Sequence, residues 1–254
     1  MRKLFFIAEY EFSMQIRRRA GWLVWLTVSA LIIWDCYPSA HNDLRLSDLQ
    51  IPSYFIMRIL GQPGLLLLFG LMFLIAGRVP LDRKNGMREL YTAAPLSKSQ
   101  YLMGKWAGNF LYLICMMFLL MAVHALGYAL TRGIAFRWAD YWPPLLSGLF
   151  VIILPACFFM AACAVFLPVI IDIRLCYLLV SGFCVLNLSA FGSEIANPFF
   201  DLTNGVLSDQ VFDNPLQPAA DAHLIASSLL FLLGTPIMIA TLGFLRPRVW
   251  RERP

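Results

Sequence analysis

The chain has 254 residues, of which 60% are hydrophobic and only 14% charged, with a formal net charge of +5. A soluble domain runs nearer about half apolar and about a quarter charged, so a soluble globular enzyme or binding module is excluded. Several runs exceed the roughly 18 apolar residues that cross a bilayer, and the predicted class is all-α integral membrane: an N-terminal interfacial amphipathic helix plus six transmembrane helices, one transmembrane domain over 1–254.

Residues 2–19 come first. Leu4, Phe5, Ala8, Phe12 and Ile16 recur at helical spacing, with Glu9 and Glu11 on other faces. Arg2 and Lys3 precede this pattern and Arg17, Arg18 and Arg19 follow it. The pattern predicts a helix lying in the interface, held against anionic headgroups of the lipid bilayer. The apolar part is too short for a signal peptide, and no small-residue cleavage site follows.

Six spans are expected at about 20–37, 54–79, 106–130, 145–167, 171–191 and 224–244. Trp22, Trp25 and Trp34 suit the interfaces of the first. The second is interrupted by Arg58 and by Gly61-Gln62-Pro63-Gly64, which predicts a break or kink in its outer half. Arg58 either snorkels to the surface or lines a pathway cavity. Thr131–Pro144 reads as an outer loop. Pro168–Arg174 is a very short turn, and Asp172 and Arg174 there read as an interfacial pair or a second inner contact. Ala161, Ala162 and Ala164, and Ser181 and Gly182, are small enough to let helices pack closely. Segment 192–223 is acidic yet carries Pro198-Phe199-Phe200; it reads as extracytoplasmic, either a solvated loop or short re-entrant helices.

Basic residues test this order. With the N-terminus inside, sixteen Lys and Arg fall on inner segments and four on outer ones. The positive-inside rule therefore places both termini in the cytoplasm. The same distribution accounts for the net positive charge, and no nucleic-acid partner is expected.

The connector of residues 80–105, with Arg78 at its edge, holds six of the inner cations: Arg78, Arg83, Lys84, Arg88, Lys98 and Lys105. Asn85-Gly86 is a turn signal. Met87–Tyr91 can form a short helical turn, and Pro95 stops it. Ser97 and Gln100 stand at capping-box spacing, so a new helix is expected to start there. The connector is expected to be an ordered platform.

Asp82, Gly86, Glu89, Leu90, Pro95, Ser97, Tyr101, Leu102, Gly104 and Lys105 resemble the cytoplasmic loop of ABC-2 type transporter permeases, the membrane subunits of type V ABC exporters. That resemblance implies a coupling helix docking on a separate ABC ATPase subunit. It also implies an N-terminal connecting helix and a translocation pathway formed with a second copy or a homologous permease. The setting it implies is the inner membrane of a prokaryote. Asp82, Gly86, Arg88, Glu89, Leu90, Pro95 and Lys105 would then be coupling residues, Asp172 and Arg174 a second inner contact, and Arg58 a pathway candidate.

The chain has no P-loop: Trp106 follows Gly104-Lys105, and no glycine stands five residues before Gly104. ATP and Mg²⁺ are therefore expected on the partner ATPase, with no catalytic residue and no cofactor on this chain, which is not an enzyme by itself. The six Cys form no CxxC pair, and no metal site is expected. Cys115, Met116, Met117, Met121 and His124 in the third span admit a copper-handling reading, or serve as apolar filling. The alternative function is a non-transporting integral-membrane assembly or sensor protein, or a permease serving metal-site maturation.

Overall fold

The computed structural model describes residues 2–37, 51–84, 97–133, 137–189, 212 and 222–245. Expectations for Gly86, Arg88, Glu89, Leu90 and Pro95, for most of segment 192–223 and for the C-terminal tail lie outside the described residues. Among those described, all regular structure is helical: α1 Arg2–Ile16, α2 Arg19–Asp35, α3 Pro52–Leu60, α4 Gln62–Ala76, α5 Arg78–Lys84, α6 Lys98–Arg132, α7 Trp138–Ser147, a π-helical turn Gly148–Ile153, α8 Leu154–Ile170, α9 Ile173–Ser189 and α10 Ala222–Leu245. Among the described residues, four stretches are long and apolar enough to cross a membrane: Pro52–Asp82, Lys98–Thr131, Trp138–Ile170 and Ala226–Leu245.

The second stretch of the chain breaks where the glycines and proline stand. Helix α3 stops at Leu60, Gly61 takes ψ −123°, and α4 restarts at Gln62 with Pro63 in its first turn, where no amide donor is needed. Helix α6 starts as its capping box requires: Ser97 Oγ accepts from the Gln100 amide and Gln100 Oε1 accepts from the Ser97 amide, both at 3.2 Å. It ends at Gly133, whose φ of +54° suits a residue without Cβ.

Two expectations change here. Thr131–Pro144 is not simply a loop, because α6 runs to Arg132 and α7 already starts at Trp138. Pro143 and Pro144 sit inside α7. Pro155 then removes one donor and crowds the carbonyl four residues back, and the ladder widens into the π turn just before it. Helices α7 and α8 thus form one continuous helical stretch, Trp138–Ile170. Of the small residues, Ala161, Ala162 and Ala164 are buried in α8, whereas Ser181 and Gly182 face outward on α9, and a Cβ on Gly182 would meet nothing.

Burial ranks the helices. The apolar windows of Pro52–Asp82 and Trp138–Ile170 are each 72% buried, that of Ala226–Leu245 only 22%. Helices α4 and α8 therefore form the centre. Helix α8 packs on α4, α6 and α10, and α4 packs on α2, α3 and α9. Ala156, Cys157, Ala161, Ala162, Cys163 and Ala164 let its neighbours approach. Helix α10 and the outer faces of α2 and α9 leave large apolar side chains exposed, among them Leu23, Leu178 and Leu230.

Candidate functional site: a buried charge cluster where α1, α5 and α6 meet

Helix α1 lies along the first turns of α6. The approach is close because α6 presents Gly104 and Gly108, one turn apart. A Cβ on Gly104 would stand 2.7 Å from Ile7 Cβ, and one on Gly108 would stand 2.5 Å from the Ala8 carbonyl oxygen and 2.8 Å from Glu11 Cβ. Glycines at this spacing let two helix backbones touch.

The contact is polar as well as tight. On α6, Lys105 and Asn109 share a face at i, i+4; on α1, Glu11 and Gln15 do the same. The two pairs meet. Lys105 Nζ donates to Glu11 Oε1, and Gln15 Nε2 donates to Asn109 Oδ1 at 3.0 Å. Asn109 Nδ2 in turn donates to the Lys105 carbonyl at 2.8 Å. Lys105 Nζ also donates to Asp82 Oδ2 at 2.7 Å, and Tyr101 Oη donates to the same oxygen at 2.8 Å. One ammonium thus bridges carboxylates from α1 and α5, the second of which lies just ahead of the 85–96 connector.

These groups are out of water. Lys105 is 0% exposed, Glu11 3%, Gln15 1% and Asn109 0%. Burial raises the Glu11 carboxyl above its usual range, against the opposing pull of Lys105. Glu11 Oε2 is buried without a hydrogen-bond partner. A charge in such a place persists only if its partners hold it.

The expected face of α1 is therefore corrected. Glu11 turns inward beside Ala8, whereas Phe5, Phe6 and Tyr10 are exposed, together with Lys3, Glu9 and Arg17. Of the expected stripe, Phe5 is exposed alongside Phe6 and Tyr10, whereas Ala8 is buried and Leu4, Phe12 and Ile16 are half-buried. The signal was present in the sequence as two polar i, i+4 pairs beside two small residues, but only their meeting reveals it.

The other candidates separate. Of the seven coupling residues, Asp82 and Lys105 meet in the cluster. Lys105 is an interior residue of α6, not an exposed connector cation. Asp172 and Arg174 are exposed at the α8–α9 break. They do not form a side-chain ion pair: Asp172 Oδ1 accepts from the Arg174 amide at 2.8 Å and caps the first turn of α9. Arg58 lies at the opposite end of the bundle, where its Nη2 meets Asp35 Oδ2 at 2.7 Å. It neither extends free to the surface nor joins the cluster. Met116, Met117, Met121 and His124 are buried; Tyr37 Oη lies 3.2 Å from His124 Nδ1. The six cysteines are free.

A scan against protein-family models gives no match for this chain, and a search of curated proteins gives none.

Proposed function

We propose that this chain is the membrane subunit of an ATP-driven ABC-2 type exporter, working as a dimer with itself or a related permease and driven by separate ATPase subunits that carry ATP and Mg²⁺. The observation that supports this reading is the buried Lys105 bridge. It ties α1 and α5 to the start of α6, on both sides of the basic connector. A push on the connector would reach spans two and three through a stiff joint rather than a loose loop.

Six crossings complete this reading. Helices α2 and α9 have 17 residues each, or about 25 Å of helix, at the lower limit for a span. With the four longer spans they would give six crossings and both chain ends on one side; in this reading that side is the cytoplasm of a prokaryote, which the excess of basic residues on the inner segments favours. The exposed Phe5, Phe6 and Tyr10 of α1 then face the headgroup region, with Lys3 and Arg17 beside them.

The test is recovery of the ATPase. Glu89→Arg should leave membrane insertion intact, reduce the ATPase that co-purifies with the permease and abolish its stimulated hydrolysis. A Glu89→Arg chain that retains its ATPase and transports normally sinks the docking role of the connector.

A further inference from the structure

Beside the buried cluster stand two further arginines. Arg18 precedes α2, and its Nη1 donates to the Leu74 carbonyl at 2.7 Å, at the end of α4. Arg78 opens α5, four residues on. Its guanidinium is half-buried, its Nε is fully enclosed, and it has no hydrogen-bond or ion-pair partner among the described residues. The Tyr177 hydroxyl reaches the same place from α9, 2.9 Å from where a Gly77 Cβ would lie. Burial, and after it the like charge of Arg78, push the Arg18 guanidinium down from its usual range.

Charge does not balance within this region. Among the described residues, Lys105, Arg78 and Arg18 stand in this region with two carboxylates, Glu11 and Asp82, and Lys105 already bridges both. One positive charge is left over in a partly dry place. Two guanidinium groups and a phenol offer forked donors that match a phosphate.

We propose that Arg18, Arg78 and Tyr177 form a binding site for the phosphodiester of an anionic phospholipid. The helices that bring Arg18 and Tyr177 continue with exposed Leu23 and Leu26 on α2 and exposed Leu175, Leu178 and Leu179 on α9. Acyl chains can lie along these faces while the headgroup rests between the helix ends, as basic pockets at membrane helix ends hold lipid headgroups. A free phosphate has the same donors but gains nothing from the leucines. The site depends on the chain being embedded in a bilayer and not on the ATPase reading, so either can fail alone.

Thermal unfolding of the full chain in mild detergent tests the site. Phosphatidylglycerol, phosphatidylcholine or inorganic phosphate is added, and native mass spectrometry counts retained lipid. Phosphatidylglycerol should raise Tm by several degrees and remain bound, and the other two should act far more weakly. Arg78→Gln and Arg18→Gln should lose the rise and the bound lipid, while Arg137→Gln, at an exposed arginine just before α7, should keep both. Should Arg78→Gln not fold, Tyr177→Phe removes a single hydroxyl and should lose part of the rise. Equal stabilisation of wild type and Arg78→Gln (or, in its place, Tyr177→Phe) by phosphatidylglycerol overturns the site. Equal action of phosphatidylcholine overturns the charge argument, and inorganic phosphate acting as strongly as phosphatidylglycerol reduces the site to one for a free anion.

Discussion

Two ion-paired regions stand at opposite ends of the bundle, and they are built differently. At one end Lys105 joins Glu11 and Asp82, with side chains 1%, 4% and 20% exposed. At the other Arg58 joins Asp35, with side chains 18% and 35% exposed. The first holds three helices and stands on glycine-lined backbone contact. The second tethers the end of α2 to the short α3 and leaves both partners near water. The difference shows that an ion pair's weight depends on what the remaining partner would face once the pair is broken.

Removing Lys105 is the strongest way to break this contrast. Lys105→Met leaves the Glu11 carboxylate buried beside Asp82 with no bridging cation. The expected loss is about 3–5 kcal/mol, seen as a lower Tm in detergent and as lost hydrogen-exchange protection along α1. Lys105→Met combined with Glu11→Leu should recover most of that protection, since an apolar pair of similar volume can replace a buried ion pair. If the single variant keeps a protected α1, the cluster is not what holds it.

The glycine contact comes next. Gly108→Ala puts a methyl group 2.5 Å from the backbone oxygen of Ala8, and a backbone atom cannot rotate away. A cost of about 1–3 kcal/mol is expected, with α1 exchange accelerated and α10 exchange unchanged. Gly182→Ala, where the same methyl meets nothing, is the matched control and should be silent. Equal effects at both positions would end the claim of close approach.

Glu11 adds a smaller, pH-dependent effect. Its carboxyl sits above the usual range because burial outweighs Lys105; Asp82 and Arg78 also face it. A raised folded value means the folded state binds the proton more tightly. The contribution is then complete below the ordinary carboxylate range and is lost as pH rises through the raised one. Protection of α1, corrected for intrinsic exchange, should fall over that interval, and Glu11→Gln should flatten the fall. A rise with pH contradicts the burial argument.

Arg58→Lys should do least. Lysine can still reach Asp35, and a partly exposed pair is worth about 0–1 kcal/mol. An unchanged Tm preserves the contrast between the ends. A loss as large as that of Lys105→Met erases it and makes Arg58 a buried anchor as well.

Much of the fold was legible along the chain because the signals are local. The break at Gly61 follows from glycine and proline chemistry, and the start of α6 follows from Ser97 and Gln100. Four long apolar stretches follow from hydropathy alone. The start of α7 was hidden, because Pro143-Pro144 reads as a terminator, whereas both prolines stand inside the helix that begins at Trp138. The site was less legible still. Glu11 and Lys105 stand ninety-four positions apart, and no local pattern says that two charged residues will leave water together. Composition and charge placement determined that this is a helical membrane protein with a basic connector. Which cations are buried and which face of α1 is open were decided only by packing, because desolvation depends on what the other helices bring to each charge.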